Sequence, residues 1–459
     1  MPVARFESAP VDVSPLGQPM KFEFSGKVAK NRFLKAAMAE DLATWSATNL
    51  EERGAPTKEL IELWGEGEWG VISTGNIDIN FDMLSAVGDM IITPECGSSG
   101  PRFEAFQELA KGAKAHGSLL VAQMTHPGRQ LLAKIRKDTI SASAIQHGEP
   151  TSYYVMQRIT PSPGFGAYAV PREATKAEIA SVVEGFAYAA EYLQKAGFDG
   201  VKLHGAHGYL ISQFLSEQSN KRTDEYGGTL ANRMRIVVEI AEAIKARVQP
   251  GFILAIKMNS VEFQEKGLDP EEVKIICEML QTLGFDFVDL SGGNHADIGY
   301  GGERESTRKR EAYFIDFVKD IVPHLTTTKK FLVGGFRSAA SMVEALDSLD
   351  GIALGRPAAQ EPRFPVDLLA GKITGAIKSP KEFGDDLWLS LAAAGCQMRQ
   401  VGQGREPFDS SNEKAAAAFK VKLDEHIAKL MADGDKLEMN GFPDLTAPET
   451  SARAYGDAY

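Results

Sequence analysis

The chain has 459 residues, 43% of them hydrophobic and 24% charged, which is the balance of a folded protein able to bury a large core. Its formal net charge of −12 argues against nucleic acid or an anionic membrane as main partner and requires a local cationic site for any anionic ligand. The three cysteines, Cys96, Cys277 and Cys396, support neither a disulfide framework nor a C-x-x-C metal site, and neither a signal peptide nor an 18-residue apolar run is present, so the expected location is cytoplasmic.

Along the chain, short apolar runs fall at Phe33–Met38, Gly70–Thr74, Leu119–Met124, Gly200–His204, Ile253–Met258, Phe287–Leu290, Phe331–Gly334 and Gly351–Leu354. Amphipathic stretches such as Lys176–Ala196, Thr229–Val248 and Pro270–Leu283 separate them, the last with Asp269 as expected N-cap. Eight strand–helix units point to an α/β (β/α)8 TIM barrel. Ala144–Arg172, rich in Pro, Gly and Tyr, reads as a long loop over the barrel mouth. Beyond residue 375 the strand rhythm stops, and a helix over Asn412–Ala432 precedes a polar tail containing Pro443 and Pro448. The expected division is therefore a barrel over residues 1–375 and a C-terminal helical extension over 376–459. Gly65-Glu-Gly-Glu-Trp-Gly70 satisfies G-x-G-x-x-G, but it precedes a strand and carries two glutamates where a pyrophosphate would sit, so it is no dinucleotide signal.

The strand ending in His204 runs into Gly-Ala-His207-Gly-Tyr209-Leu, which places two imidazoles and a phenol where a barrel keeps its catalytic groups. A zinc site would need a third ligand, and none is evident nearby, so no metal is expected. As structural groups the histidines would order a polar loop; as functional groups they would donate to a carbonyl or nitro oxygen while Tyr209 supplies a proton.

That segment, continued by Gln213-Phe-Leu, Asn220-Lys-Arg-Thr-Asp224-Glu-Tyr-Gly-Gly228 and Asn232-Arg233, resembles the signature of the old yellow enzyme family. The resemblance covers roughly residues 10–370. It implies that His204 and His207 bind the substrate's activating oxygen and that Tyr209 is the proton donor; the stretch from Asp224 to Arg233 would be structural. By the same resemblance Ala37, Met38 and Ala39 run along the flavin of an FMN cofactor, Gln123 pairs with its pyrimidine edge, and Lys257 stands near N1 and O2 in place of the usual arginine. The loops Val333-Gly334-Gly335-Phe336 and Leu354-Gly355-Arg356-Pro357 follow strands seven and eight, where barrels commonly hold phosphate, with glycines opening the backbone and a guanidinium to pair with the anion. Ala39 departs from the threonine or cysteine that many relatives use at flavin O4, and the four-cysteine cluster of the dienoyl-CoA reductases is absent.

The implied activity is FMN-dependent reduction of the activated C=C bond of an α,β-unsaturated carbonyl compound, with NADPH or NADH as hydride donor. Its partner would be a small electron-poor alkene; a homo-oligomer is compatible with the reading. Two other readings stay open: a dedicated biosynthetic reductase or isomerase on the same flavin barrel, and a flavin-free barrel that acts as a binding protein. The loops over 146–172 and 294–309 carry no readable substrate code.

Overall fold

Strand β1 (Phe33–Lys35) pairs with β2 (Val71–Asp78), and β2 with β3 (Leu119–Thr125). The series continues in parallel through β4 (Gly200–Gly205), β5 (Ile253–Asn259), β6 (Phe287–Ser291), β7 (Lys329–Val333) and β8 (Gly351–Leu354). Pairing of Ile352 with Phe33 joins β8 back to β1 and closes the barrel. This computed structural model describes residues 3–62, 64–146, 168–259, 270–291 and 324–446. All eight expected strands are present; β1 is shorter than its apolar run and β2 longer. The expected cap Asp269 and most of the two loops over 146–172 and 294–309 lie outside the described residues. A short strand before the first loop, Asp138–Ser141, pairs in parallel with Val170–Glu173 at its described far end.

Two layers of apolar side chains alternate along the strands. Leu34, Val71, Val121, Ile253, Ala255, Phe287, Phe331 and Ala353 fill the barrel interior, closed from below by Phe22 in the hairpin of Met20–Lys21 and Val28–Ala29. Their neighbours Phe33, Ile72, Leu120, Leu254, Val288, Leu332 and Ile352 point outward into the layer packed under the helices. Because a strand has period two, the inward phase carries Gln123 on β3, Lys202 and His204 on β4, Lys257 and Asn259 on β5, and Asp289 and Ser291 on β6 to the interior of the mouth. Helices Lys176–Lys195 and Leu230–Arg247 cover the β4 side; the first opens on a capping box of Thr175 and Glu178 and the second on the Thr229 hydroxyl.

Strand β2 contains one irregularity, a register shift between Ser73 and Asn76. Val71 is interior and Ile72 exterior, yet Ile77 is also exterior, an odd number of residues later. The bulge therefore exchanges the faces, so that Asn76 and Asp78 turn inward.

Downstream of the barrel come helices Lys381–Asp385, Leu387–Gly402 and Glu413–Asp433. Asn412 caps the last by accepting from the Lys414 and Ala415 amides. Helix Leu387–Gly402 has two buried faces. Ala394, Met398 and Val401 join the barrel's outer core, while Ala393 and Cys396 join a second cluster with Phe408 and Phe419, whose rings stack at 5.0 Å. Among the described residues, no helix is long and apolar enough to cross a membrane.

Candidate active site

Beyond β4 the chain makes a tight turn that positions the motif. His207 adopts a left-handed backbone, φ 58°, and its backbone N–H donates to Asn259 Oδ1 at 3.1 Å. Gly208 follows at φ 75°, where a Cβ would stand 2.6 Å from the Gln130 amide nitrogen, so only glycine fits. The turn brings Tyr209 to the N-cap of the short helix Leu210–Leu215, with its ring centroid 4.4 Å from that of His204. Gln213 staples this helix to the loop after β3: its carbonyl accepts from Ser141 at 2.9 Å, and its amide donates to the Gly208 carbonyl at 2.7 Å. Arg222 bonds Asp224, and Arg233 donates to the Leu215 carbonyl, so this part of the motif braces the loop.

The two imidazoles are bonded to one another, His204 Nε2 to His207 Nδ1 at 2.9 Å, and His207 Nε2 meets the Ser291 hydroxyl at 3.0 Å. Burial pushes the Tyr209 phenol well above its ordinary pKa, and the nearby Asp89 and Asp78 carboxyls push it the same way; a hydrogen bond from the Asn76 side chain opposes them. The phenol is therefore fully protonated across the neutral range.

Gln123 is almost fully buried. Its amide nitrogen donates to Asn76 Oδ1 at 2.9 Å, and its Oε1 has no hydrogen-bond partner among the described residues. Lys202 stands in register with Gln123, and Lys257 with both His204 and Asp289. Asp289 Oδ2 receives Lys202 at 2.6 Å and Lys257 at 3.5 Å. Burial alone would raise the Asp289 pKa, but the two ammoniums more than offset it and hold the carboxyl ionised, while burial lowers Lys202 to about 8. Two lysines thus share one carboxylate and leave excess positive charge at the barrel mouth.

On the opposite side the backbone dominates. Gly335 takes φ 77°, and a Cβ there would meet nothing within 4 Å. Gly355 precedes the five-residue helix Arg356–Gln360; a Cβ on it would lie 3.7 Å from Met38 Sδ, which sets the loop after β8 beside the end of β1. Gly334 is buried, Ala37 and Met38 are half-buried, and Ala39 is exposed. Arg356 donates to the Ser390 hydroxyl at 2.6 Å, a contact with the C-terminal extension that the sequence did not suggest.

His204, His207, Tyr209, Gln123 and Lys257 thus share the β3–β6 arc, and Met38 and Gly355 meet across β1 and β8. Sequence reasoning missed Asn76, Asn259 and Ser291. Asn259 and Ser291 had a usable signal, being polar residues at the carboxyl ends of apolar strands. An FMN fits these residues: a buried carbonyl oxygen on Gln123 awaits a donor, lysine cations suit an electron-rich ring edge, and the open left-handed Gly335 leaves its backbone accessible to an anion.

Residues 15–373 match the family described as NADH:flavin oxidoreductase / NADH oxidase. The NADH-dependent flavin oxidoreductase nadA of Aspergillus parasiticus is 46% identical over 414 residues, covering 89% of this chain and 90% of its own. The NADH-dependent flavin oxidoreductase iccE of Talaromyces variabilis is 34% identical over 356 residues, 74% of this chain and 83% of its own. Among solved structures, an old yellow enzyme homologue from Zymomonas mobilis superposes with a TM-score of 0.61 at 23% identity, over 79% of this chain and 94% of its own. Morphinone reductase in complex with tetrahydroNAD gives a TM-score of 0.60 at 20% identity, over 78% of this chain and 91% of its own. Barrel, motif and relatives agree: the chain belongs to the NADH:flavin oxidoreductase / NADH oxidase family, on the old yellow enzyme barrel, and is an oxidoreductase that uses FMN and a nicotinamide donor.

Proposed function

We propose that the enzyme reduces the activated carbon–carbon double bond of a small α,β-unsaturated carbonyl or related compound, with His204 and His207 on the activating oxygen and Tyr209 as proton donor. The observation that carries this reading is the Tyr209 phenol set beside the His204 ring, their centroids 4.4 Å apart. FMN, when bound, would supply the hydride chemistry between the nicotinamide and the β-carbon. Its holders would be the backbone at Ala37, Met38 and Ala39, the Gln123 amide, Lys257, and for the phosphate Gly334, Gly335, Gly355 and Arg356.

The residues divide the remaining work. An entering carbonyl oxygen takes the place of one nitrogen in the His204–His207 bond; His207, fixed at its far nitrogen by Ser291, keeps its N–H on the oxygen, and His204 turns its own N–H toward it as charge builds there. Ser291 keeps the His207 ring in place and Asn259 keeps its backbone in place while this happens. Tyr209 gives its proton to the α-carbon: the O–H bond breaks, the C–H bond forms, and the electron pair stays on the phenolate. Excess positive charge around Lys202 and Lys257 favours a cofactor ring that has gained electrons. The barrel over residues 1–375 would carry all of this, and the extension over 376–459 would support the phosphate loop through Ser390.

Anaerobic mixing of NADH-reduced enzyme with 2-cyclohexenone tests the reading. The expected result is return of the oxidised flavin spectrum with one equivalent of saturated ketone. Reoxidation by oxygen but not by the enone would refute it.

A further inference from the structure

The ladder between β1 and β2 ends at the pair Lys35 and Ile72, and just beyond it β2 bulges, with Thr74 and Gly75 opposite the single Ala122 of β3. A bulge leaves backbone groups without ladder partners, and here side chains from β1 and the loop after it take them up. Lys35 Nζ donates to the Ser73 carbonyl at 2.7 Å, and the Gly75 amide donates to Glu40 Oε1 at 2.9 Å and Oε2 at 2.8 Å. Lysine and glutamate are themselves a buried ion pair at 3.4 Å, with the ammonium 4.2 Å from the centre of the Trp64 ring. Only glycine fits this clamp: a Cβ on Gly75 would stand 2.0 Å from Glu40 Oε2 and 2.4 Å from the Met38 carbonyl oxygen. The residues on either side of Gly75 both hold Gln123. Thr74 Oγ1 accepts from its backbone amide at 3.2 Å, and Asn76 Oδ1 accepts from its side-chain amide at 2.9 Å.

We propose that Glu40 is a positioning residue for the flavin: by clamping Gly75 it fixes the bulge whose flanking residues present the Gln123 side chain to the ring. The inference rests on the reading that Gln123 meets the pyrimidine edge of FMN. A buried ion pair is weak evidence of stabilisation, because apolar side chains of similar size often serve as well. This pair has a more particular task, since each partner also bonds a backbone group of the bulge. The bonds then run one way toward Gln123. Thr74 gives its proton to the Gly75 carbonyl at 2.8 Å, so toward the Gln123 backbone it accepts. Asn76 presents Oδ1, which takes the Gln123 amide nitrogen and leaves Oε1 without a partner among the described residues. Asn76 faces inward only because of the register shift, so a bulge that relaxed would withdraw the group that orients Gln123. The clamp also bears on the end of β1, where Gly75 packs against the Met38 carbonyl.

The test measures FMN affinity, by fluorescence titration of the full-length apoprotein, in Glu40→Ala, Gln123→Ala and the two combined. Each single change should weaken FMN about two- to ten-fold, the range for one neutral hydrogen bond. The combination should bind no more weakly than Gln123→Ala alone, because Glu40 acts through that side chain; a general loosening of the barrel would instead add its loss in full. Removing one member of a buried ion pair can prevent folding, so the same cycle is run with Lys35→Met and Glu40→Leu together, which leaves no unpaired charge. That pair of changes should reproduce the loss and its dependence on Gln123. Parent affinity in these Glu40 variants, or a loss that adds in full to that of Gln123→Ala, would overturn the role of Glu40 while leaving Gln123 at the flavin. Parent affinity in Gln123→Ala would instead overturn the Gln123 reading and the role of Glu40 with it.

Discussion

The β2–β6 arc and the β7–β8 loops line the same mouth but are held by different means. In the arc, side chains position side chains: Ser291 and Asn259 hold His207, His207 holds His204, and Asn76 holds Gln123. Across the mouth, the backbone of Gly335 stands open in the left-handed region, and the Arg356 guanidinium is steadied by Ser390 from a helix outside the barrel. The difference suits the two tasks proposed for these regions. Proton transfer needs donors fixed within a fraction of an ångström, which a network of mutually bonded side chains provides. Holding a phosphate needs several N–H groups and a cation at moderate precision, which loops and one guanidinium provide.

If the two regions are separable in this way, variants in each should fail differently. The largest effect is expected for Tyr209→Phe, which should slow enone reduction by about 10²–10⁴-fold, the usual contribution of a positioned general acid, while NADH still reduces the flavin. Separate stopped-flow traces of the two half-reactions measure this. Arg356→Ala should weaken FMN by about ten- to hundred-fold, because the lost bond is charge-assisted, and fluorescence titration of the apoprotein reads it directly. Full retention at dilute protein would remove Arg356 from the phosphate site. Ser390→Ala should weaken FMN in the same direction but only several-fold, since a neutral hydrogen bond contributes about 1 kcal/mol. The smallest effect belongs to the end of β1: Ala39→Thr should raise the flavin midpoint potential slightly, by donating to an O4 that becomes more electron-rich on reduction. Ala39 is exposed, so solvent already competes for that role, and spectroelectrochemistry showing a downward shift would mean that position 39 does not face O4.

What the sequence revealed followed the same division. The eight strands were legible because each is a short apolar run buried on both faces, and the motif from His204 to Tyr209 because its polar residues interrupt such a run at the carboxyl end. Strict alternation also points Gln123 and Lys257 inward. Asn76 was not legible for a physical reason: counted in phase from Val71 it faces outward, and only the register shift beside Ser73 turns it in. Bulges leave no pattern in hydrophobicity, so a polar residue beyond one is assigned to the wrong face. Ser390 was hidden differently. It lies 34 positions from Arg356 on a helix with no distinctive motif, and only the packing of Ala394, Met398 and Val401 onto the barrel brings it there.

The division between the two regions is tested most directly by crossing the assays: FMN affinity and single-turnover reoxidation by 2-cyclohexenone, each measured in both Tyr209→Phe and Arg356→Ala. The account expects Tyr209→Phe to bind FMN as tightly as the parent and to lose enone turnover. It expects Arg356→Ala, once saturated with FMN, to reduce the enone at close to the parent rate. If FMN-saturated Arg356→Ala loses enone turnover as deeply as Tyr209→Phe, or if Tyr209→Phe sheds its FMN, the two regions are not separable and the account is contradicted.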